Sequence, residues 1–406
     1  MSMHHYLIIA DDFTGANDSG LQLKRKGLST RVTIGSYSPR DTLADALVLD
    51  TESRNTSELE AASLVRSALE GLDNRAFSVI MKKIDSTLRG NICTEVMEVA
   101  TFCTAELIIV SPAFPDQGRT VQGGRLLVHG KPLLESEYGK DPRKPAMEDD
   151  LVSLFSQGQN TYRVAHHLKG TAFPAVEGKT LLVCDALTQD DLLHLANWAV
   201  QRKEQILYVG SAGLADALCN VQFPSRGVLG MVASLSGVTR DQVMYAKKHG
   251  IVTEEVAVET LLEAGDFSVL IQRIKETILG RKPVLVVVSS VLDETAFNRS
   301  IEKGDKKGLS SDAVAARIRD SFSLLGKDLV EQCDVGGLLL TGGDTAFGLL
   351  EALGIHEVEI LREVQGGIPL LEVPTGNYAS MRIVTKAGAF GNKQAIAYGM
   401  RVLQER

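Results

Sequence analysis

The sequence predicts an α/β protein of two domains, each with a mainly parallel sheet flanked by helices. Short apolar runs alternate with helical patterns along the whole chain, as expected for parallel strands joined by crossover helices. A chain of 406 residues with 44% hydrophobic residues is long enough for two sizeable cores. A stretch with a proline and a glycine at 219–228 interrupts a helical pattern near the middle. We therefore predict domains at 1–224 and 225–406.

The first predicted strand is an apolar run at 6–10 that leads directly into two aspartates. A mixed stretch at 19–26 can follow it as a helix. Similar short apolar runs predict the remaining strands of the first domain at 31–34, 46–49, 77–81, 107–111, 181–184 and 206–209. Helical patterns separate them at 57–69, 95–102 and 190–201. The segment 111–145 is rich in proline and glycine, and we interpret it as a hairpin with a long loop.

The second domain repeats the same alternation of strands and helices. Its predicted strands are at 230–234, 284–289, 337–341 and 382–385. Its helical patterns are at 241–249, 267–279, 311–325 and 393–403.

Composition argues against several classes of partner. The net charge is −8 and no basic stripe is visible, which argues against nucleic acid. No window approaches the roughly 20 apolar residues of a membrane span, and the first apolar run stops at Asp11, which argues against a signal peptide. The five cysteines include no Cys-x-x-Cys pair and are typical of a reducing compartment. We expect a cytoplasmic protein with no membrane partner.

A pair of carboxylates follows the first predicted strand. Asp11 and Asp12 lie where a strand ends and a helix begins, the edge at which open α/β sheets bind ligands. Several polar side chains at such a place are costly to bury unless they hold something. The alternative is a capped helix start, with Asp12 or Thr14 as the N-cap.

A second polar cluster follows the strand at 77–81. Lys83, Asp85, Ser86 and Arg89 converge near the same edge, and Arg54 follows the strand at 46–49. Arginine can hold a carboxylate with two hydrogen bonds, and aspartate accepts hydrogen bonds from hydroxyls. The two clusters together suit a small acid that carries several hydroxyl groups. The alternative is surface charge around a loop.

Three glycine-containing turns in the second domain predict a nucleotide site. Gly342 and Gly343 follow a predicted strand, and similar turns occur at 386–392 and 234–239. Such turns let the backbone approach a ligand, and the free amides at a helix start favour phosphate. The alternative is a tight strand–helix turn without a ligand. No dinucleotide fingerprint or P-loop is present.

The sequence resembles the four-carbon acid sugar kinase family along nearly its whole length. The matching segments occur in order and are ADDFTGAND at 10–18, KIDSTLRGN at 83–91, PAFP at 112–115, GRT at 118–120, GSAGL at 210–214, TGGDT at 341–345 and KAGAFG at 386–391. The resemblance implies an N-terminal acid-sugar domain, a C-terminal ATP domain and an active site in the interdomain cleft. Members of the family phosphorylate the terminal hydroxyl of D-threonate, D-erythronate or 3-oxo-tetronates.

The resemblance also implies roles for individual residues. Asn17 resembles the residue that the threonate and erythronate branch carries at this position, whereas the oxo-acid branch tends to carry threonine there. The segment 233–236 reads Ala-Ser-Leu-Ser, where relatives usually read Gly-Ser-Cys-Ser, so the role of Ser234 stays open. The implied substrate-binding residues are Asp11, Arg54, Lys83, Ile84, Asp85 and Ser86. The implied ATP-binding residues are Ser234, Gly342, Gly343, Asp344, Thr345 and Gly388.

The most concrete prediction is an ATP-dependent kinase acting on the C4 hydroxyl of a four-carbon sugar acid, D-threonate above all. Arg54, Lys83 or Arg89 is expected to hold the substrate carboxylate. Asp11 and Asp85 are expected to order its hydroxyls. We assign Asp12 as the acceptor of the hydroxyl proton. Mg²⁺ is expected on the ATP phosphates, with no protein ligand assigned to it.

The sequence is also compatible with other functions. The same site could serve D-erythronate or 3-oxo-tetronate. A nucleotide-regulated sugar-acid binding protein belongs to a different class, and the doubled carboxylate at 11–12 argues against it. A dehydrogenase is disfavoured by the missing dinucleotide fingerprint. A homodimer is expected from the size of the family's enzymes.

Overall fold

The computed structural model describes residues 4–34, 44–140, 146–224, 226–263 and 265–405. The chain divides into two compact units, Met1–Pro224 and Ser225–Arg406. Each unit has a separate hydrophobic core around its own large sheet.

The first unit contains eleven described strands. They are β1 (His4–Ala10), β2 (Thr30–Ile34), β3 (Ala46–Asp50), β4 (Phe77–Lys83), β5 (Leu107–Ser111), β6 (Arg119–Gln122), β7 (Arg125–Val128), β8 (Lys131–Pro132), β9 (Arg163–His167), β10 (Thr180–Cys184) and β11 (Ile206–Gly210). Eight of them form one sheet in the order β2-β3-β1-β4-β11-β5-β10-β9. All neighbours in that sheet are parallel. The other three form a small antiparallel sheet.

Six described α-helices accompany these strands. They are α1 (Phe13–Arg25), α2 (Glu58–Leu69), α3 (Ile92–Phe102), α4 (Leu151–Gly158), α5 (Gln189–Ala199) and α6 (Ala212–Gln222). Every residue of β3, β5 and β10 is buried, as expected for strands covered by helices on both faces.

The carboxyl ends of three neighbouring strands meet at one point of this sheet. In the parallel register, Ala10 at the end of β1 lies beside Asp50 on β3 and Lys83 on β4. The segments that leave these three strands therefore start close together, and they carry the predicted substrate-binding residues.

The second unit is built around a sheet of seven described strands. They are β12 (Gly227–Val232), β13 (Val252–Val256), β14 (Val284–Val288), β15 (Val335–Thr341), β16 (Glu359–Gln365), β17 (Ile368–Glu372) and β18 (Arg382–Lys386). Their order is β13-β14-β12-β15-β18-β17-β16. The first five in that order are parallel, and β17 and β16 extend the sheet as antiparallel strands.

Eight described α-helices belong to the second unit. They are α7 (Gly237–Lys248), α8 (Val258–Leu262), α9 (Ser268–Leu279), α10 (Ser289–Leu292), α11 (Glu294–Asp305), α12 (Ser311–Gln332), α13 (Gly343–Ala352) and α14 (Ala395–Gln404). Within the described residues, no helix is long and apolar enough to cross a membrane.

The predicted α/β class with two mainly parallel sheets is confirmed. The structure adds the antiparallel hairpin of β16 and β17, which makes the second sheet mixed, and it adds the edge strands β9 and β13. The segment 111–145 contains three short strands where a hairpin and a loop were expected, and its last residues, 141–145, lie outside the described part. The strand expected at 230–234 is observed at 227–232. The chain leaves the sheet after Val232, so Ser234 lies in the following loop.

Candidate active site

Arg54 joins the two aspartates that follow β1. Its Nε and Nη2 donate to the two carboxylate oxygens of Asp11 at 2.8 and 2.9 Å. Its Nη1 and Nη2 donate to the two oxygens of Asp12 at 2.8 and 2.7 Å. A guanidinium has five N–H donors, so this arrangement leaves one of them outside the two carboxylates. The pair expected from the sequence is thus organised by an arginine 42 residues further along the chain.

Asp12 also begins the first helix. It is the N-cap of α1, and its Oδ1 accepts from the backbone N–H of Gly15 at 2.9 Å. This confirms the cap that the sequence left as an alternative, and the same carboxylate is bound by Arg54. Asp12 is half-buried, whereas Asp11 is buried.

Lys83 lies against the start of α1. Its ammonium donates to the carbonyl oxygen of Ile84 at 3.0 Å. A Cβ added at Gly15 would lie 2.9 Å from the Lys83 Nζ and 2.5 Å from Asp12 Oδ1. Glycine at position 15 is therefore what allows the lysine and the aspartate to approach the helix start so closely.

The turn after β4 is held by Asp85. Its carboxylate accepts from the Thr87 hydroxyl at 2.7 Å and from Arg89 Nε. Gly90 has a φ of +107°, and a Cβ there would lie 3.1 Å from Asp11 Oδ2. Because only glycine combines that backbone angle with that approach, the turn can pass directly beside Asp11.

The other two predicted substrate residues differ in exposure. Ile84 is buried, and its backbone N–H donates to the carbonyl oxygen of Gly210 at 2.9 Å, so it extends the pairing between β4 and β11. Ser86 is half-buried in the turn between Asp85 and Thr87. The structure thus brings all predicted substrate residues to one edge of the first sheet.

Burial and the neighbouring charges shift the pKa values of the buried side chains in opposite directions. Burial alone would raise the pKa of Asp11, but hydrogen bonds from Arg54 and the charges of Lys82 and Lys83 lower it below its usual range. Burial lowers the pKa of Lys83, although Asp11 and Asp85 pull it upward. Burial raises the pKa of Asp50 from 3.8 to about 6, against a hydrogen bond from the backbone of Glu52.

Several side chains of this site were not predicted. Lys82 and Glu95 form an ion pair of 2.8 Å, and both are buried beneath the site. Tyr138 and Arg119 were also not predicted: Arg119 lies 5.6 Å from the ring centre of Tyr138 and donates to its hydroxyl, and the predicted residue Arg89 lies 5.7 Å from the same ring centre. Tyr138 is distant in the sequence and carries no motif, whereas Arg119 belongs to the GRT segment.

The predicted nucleotide residues also gather at the carboxyl edge of their sheet. Gly342, with a φ of +90°, is the N-cap of α13, and none of the described side chains caps that helix. Its backbone N–H donates to the carbonyl oxygen of Lys386 at 2.9 Å, which joins the ends of β15 and β18. Gly343 and Asp344 are exposed in the first turn of the helix, and Thr345 is buried behind them.

Ser234 and Gly388 are in contact. A Cβ added at Gly388 would lie 2.3 Å from Ser234 Oγ and 3.3 Å from Ser236 Cβ, so this approach requires glycine. The loops that follow β12 and β18 therefore meet, beside the loop that follows β15. The six predicted ATP residues lie on these three neighbouring loops and in the first turn of α13. A nucleotide phosphate fits this chemistry, because a helix start without a side-chain cap and glycine backbone both favour anions.

Within the described ranges, no group of three or more His, Cys, Asp or Glu side chains could hold a metal ion by itself. Magnesium bound mainly through nucleotide phosphates needs only one or two carboxylates, so such a cluster is not required for it.

Two family models match the chain in sequence order. A sugar-binding N-terminal domain matches residues 6–218, and a nucleotide-binding C-terminal domain matches residues 229–396. The first match alone covers more than half of the chain and contains the Asp–Arg cluster, and the second contains the three glycine loops. The chain belongs to the four-carbon acid sugar kinase family.

Curated relatives match this kinase over its full length. It is 33% identical to a D-threonate kinase of Salmonella typhimurium, with 98% of each chain covered. It is 30% identical to a D-erythronate kinase of Heliobacterium modesticaldum, with 97% of this chain and 95% of the relative covered. The predicted family and the predicted class of enzyme, a sugar-acid kinase, are confirmed by these matches.

A solved structure supports the same fold for the kinase. It is a domain of unknown function from Bordetella bronchiseptica, crystallised with bound citrate as a domain-swapped dimer. Its identity to this chain is 28%, the TM-score is 0.62, and 99% of each chain is covered.

Proposed function

We propose that this kinase transfers the γ-phosphoryl group of ATP to the C4 hydroxyl of D-threonate. The observation that carries the proposal is the full-length similarity to a D-threonate kinase, at 33% identity. The geometry supports an acid-sugar acceptor, because carboxylates and cations alternate around one edge of the first sheet. Asn17, exposed on α1, supports the threonate and erythronate branch over the oxo-acid branch.

In this proposal the cations of the first unit hold the substrate carboxylate. Lys83 is the main candidate, because Arg54 already donates four hydrogen bonds to Asp11 and Asp12 and has one N–H left. Arg89 is bound to Asp85 and can contribute beside it. Asp11 and Asp85 accept hydrogen bonds from the substrate hydroxyls.

We assign Asp12 as the acceptor of the C4 hydroxyl proton. Each carboxylate oxygen can accept two hydrogen bonds, and Oδ2 of Asp12 accepts one from Arg54, which leaves an acceptor position. The N-cap bond and Arg54 fix the orientation of the carboxylate before the substrate binds. Such preorganisation matters in phosphoryl transfer, where positioning and charge neutralisation provide most of the rate.

The second unit is proposed to bind ATP. The backbone of Gly342, Gly343 and Gly388 approaches the phosphates, with Ser234, Asp344 and Thr345 beside them. Mg²⁺ bound to the phosphates supplies charge neutralisation during transfer. Transfer requires the γ-phosphate to reach the substrate hydroxyl, so both ligands must be bound at the same time.

The test is ADP release from ATP and Mg²⁺ with a panel of four-carbon acids. D-threonate is expected to give the highest kcat/KM, ahead of D-erythronate and 3-oxo-tetronate. A higher kcat/KM with D-erythronate or 3-oxo-tetronate would reassign the substrate and keep the enzyme class. Tight binding of both ligands with no ADP release would favour the alternative of a nucleotide-regulated sugar-acid binding protein.

We also propose a homodimer, since the similar Bordetella structure is described as a domain-swapped dimer. Light scattering coupled to size exclusion would report the mass directly. A mass of one 43.8 kDa chain at micromolar concentration would contradict it.

A further inference from the structure

A buried lysine lies directly behind the third glycine loop of the second unit. Lys386, the last residue of β18, is only 3% exposed. Among the described residues, no carboxylate forms an ion pair with its ammonium. A buried charge without a counter-ion is costly to keep, so its surroundings show what compensates it.

Oxygen atoms of the loop itself surround this ammonium. Its Nζ lies 3.0 Å from the carbonyl oxygen of Ala387, 2.8 Å from that of Gly388 and 3.2 Å from that of Phe390. The hydroxyl of Thr239 on α7 lies 3.2 Å away and itself donates to the Gly388 oxygen at 2.8 Å. The ammonium is therefore within hydrogen-bond distance of three carbonyl oxygens of one short loop.

Gln242, one turn further along α7, continues the same pattern. Its Nε2 lies 3.0, 3.2 and 2.8 Å from the carbonyl oxygens of Phe390, Gly391 and Asn392. Gln242 is fully buried. Two adjacent side chains thus bind the carbonyl oxygens of almost the whole loop.

The direction of the carbonyl groups determines the direction of the amides. In a planar trans peptide the C=O of one residue and the N–H of the next point in opposite directions. Because the oxygens of residues 387, 388 and 390 point toward Lys386, the N–H groups of Gly388, Ala389 and Gly391 point away from it. Outward-pointing N–H groups close together in a loop form a site for an anion.

We propose that Lys386 is a positioning residue of the nucleotide site, which turns the amides of the 387–391 loop toward a phosphate and provides the positive charge that this phosphate neutralises. The inference rests on the proposed function, because it takes the phosphate to be that of ATP or ADP. It adds to that function a coupling between nucleotide binding and the protonation of a residue that lies behind the loop.

The electrostatics give the coupling its sign. Burial lowers the pKa of Lys386 to about 8, so part of the population loses the proton in mildly alkaline solution. A phosphate in front of the loop stabilises the charged form and raises that pKa, so nucleotide binding takes up a proton. Affinity is therefore expected to fall as the pH rises through 8.

Among the described residues, the side chains placed beside the ammonium carry no titratable group. Thr239 of α7 lies 3.2 Å from the ammonium, Gln242 shares the carbonyl oxygen of Phe390 with it, and Thr341 is the register partner of Lys386 on β15. Arg240, also on α7, donates to the carbonyl oxygen of Val291, and Asp241 is exposed. Within the part of the chain that the structure describes, burial alone accounts for the lowered pKa of Lys386.

The experiment is calorimetry of Mg²⁺–ADP binding to the full chain, in buffers that differ in ionisation enthalpy. At about pH 8.5 the wild type is expected to take up roughly three-quarters of a proton, because most of the free Lys386 is then neutral. Between about pH 7.5 and 9.5 its affinity should fall roughly twentyfold. The terminal phosphate of ADP is already ionised at these pH values.

Three variants separate the charge from the loop geometry. Lys386→Met should bind ADP more weakly and show neither proton uptake nor the fall in affinity. Gln242→Leu loosens the loop without removing the charge, so it should bind more weakly but still take up a proton. Lys393→Met removes an exposed lysine of the adjoining segment and should keep the wild-type pH profile.

Each outcome has one meaning. ADP binding by the wild type without proton uptake would overturn the role of Lys386 and leave the nucleotide site intact. Proton uptake that persists in Lys386→Met would assign it to another group and would also overturn the inference. If Lys386→Met does not fold, proton uptake by the wild type and by Gln242→Leu on ADP binding still tests the inference. A wild type that binds no ADP at all would contradict the proposed function itself.

Discussion

Arg54 illustrates how much one side chain organises at the carboxyl edge of the first sheet. Its guanidinium joins Asp11 and Asp12, two adjacent residues whose carboxylates would otherwise repel each other. The pairing raises the pKa of Arg54 and lowers that of Asp11, so both remain charged across the physiological pH range. Asp11 is thereby kept as a hydrogen-bond acceptor.

The variant Asp12→Asn tests the assigned proton acceptor. Asparagine also caps helices, so α1 should begin normally, while the ability to accept a proton is lost. We expect turnover to fall by about two to four orders of magnitude, with ATP affinity nearly intact. Steady-state kinetics with D-threonate would measure turnover. Calorimetry with ADP, which cannot transfer a γ-phosphoryl group, would measure the nucleotide affinity.

Asp150→Asn is a matched control for this variant. Asp150 is the N-cap of α4 and lies 3.5 Å from an arginine, Arg125. The same change there should leave turnover at the wild-type level. Near-wild-type turnover in Asp12→Asn would remove Asp12 from the mechanism.

Asp50 predicts a pH-dependent change in stability. One oxygen of this buried carboxyl lacks a hydrogen-bond partner among the described residues, and its pKa is raised from 3.8 to about 6. The folded state therefore binds this proton more tightly, which stabilises it below pH 4, and that stabilisation is lost as the pH rises through 6.

Asp50→Asn removes the buried carboxylate, and with it the free-energy cost of keeping that group charged at neutral pH. The shift from 3.8 to about 6 corresponds to about 3 kcal/mol, and screening by solvent reduces this value. We therefore expect the free energy of unfolding to increase by about 2 kcal/mol near pH 7.5, and the gain to vanish below about pH 4. Urea denaturation at both pH values measures it. Asp116→Asn, at an exposed position, serves as the control. An equal effect of Asp50→Asn at both pH values would contradict the explanation.

At the scale of single elements, a substitution at the start of α13 is the clearest test of the proposed phosphate site. A Cβ added at Gly343 meets no atom within 4 Å, so a side chain there enters open space rather than the core. Gly343→Val should therefore fold normally and weaken ADP binding about tenfold or more, while D-threonate affinity stays unchanged.

Calorimetry with each ligand checks this expectation. Gly366→Val is a suitable control, because Gly366 also has open space around it and lies in the hairpin turn between β16 and β17. Unchanged nucleotide affinity in Gly343→Val would dismiss this loop as the phosphate site.

Strands differed in how well the sequence predicted them. Central strands such as β5 and β14 are buried at every residue, so they appear as continuous apolar runs. The edge strands β13 and β16 have mixed patterns, with charged residues at exposed positions, and were missed. An edge strand faces solvent along part of its surface, so burial does not impose an apolar pattern on it.

The candidate site was predictable where local motifs carry it. Asp11, Lys83, Asp85 and Gly342 follow strands in the sequence, and a parallel sheet places such residues at one edge. The pairing of Arg54 with two aspartates, and the contact of Tyr138 with two arginines, depend on distant segments meeting in space. No spacing in the sequence encodes those contacts.

At the scale of the whole molecule, each ligand is expected to slow hydrogen exchange in the unit that binds it. The two units have separate cores, and the proposed acid-sugar and nucleotide residues belong to different units. A ligand stabilises the structure that binds it. Hydrogen exchange with D-threonate should slow at 51–54 and 83–90, whereas Mg²⁺–ADP should slow exchange at 342–346 and 387–392.

Mass spectrometry of the full chain resolves these segments. The segment 163–167, on the far edge of the first sheet, provides an internal reference that neither ligand should change. Protection by Mg²⁺–ADP confined to 51–54 and 83–90 would contradict the assignment of the nucleotide to the second unit.

The ion pair of Lys82 and Glu95 constrains how this protein can evolve. Removing either partner leaves the other as an isolated charge in the core, which costs about 3–5 kcal/mol, a large share of the roughly 5–15 kcal/mol that stabilises a folded domain. Replacing both by apolar residues of similar volume is often neutral. Either single change is therefore expected to lower the free energy of unfolding, and an unrelated stabilising substitution made beforehand would offset that loss.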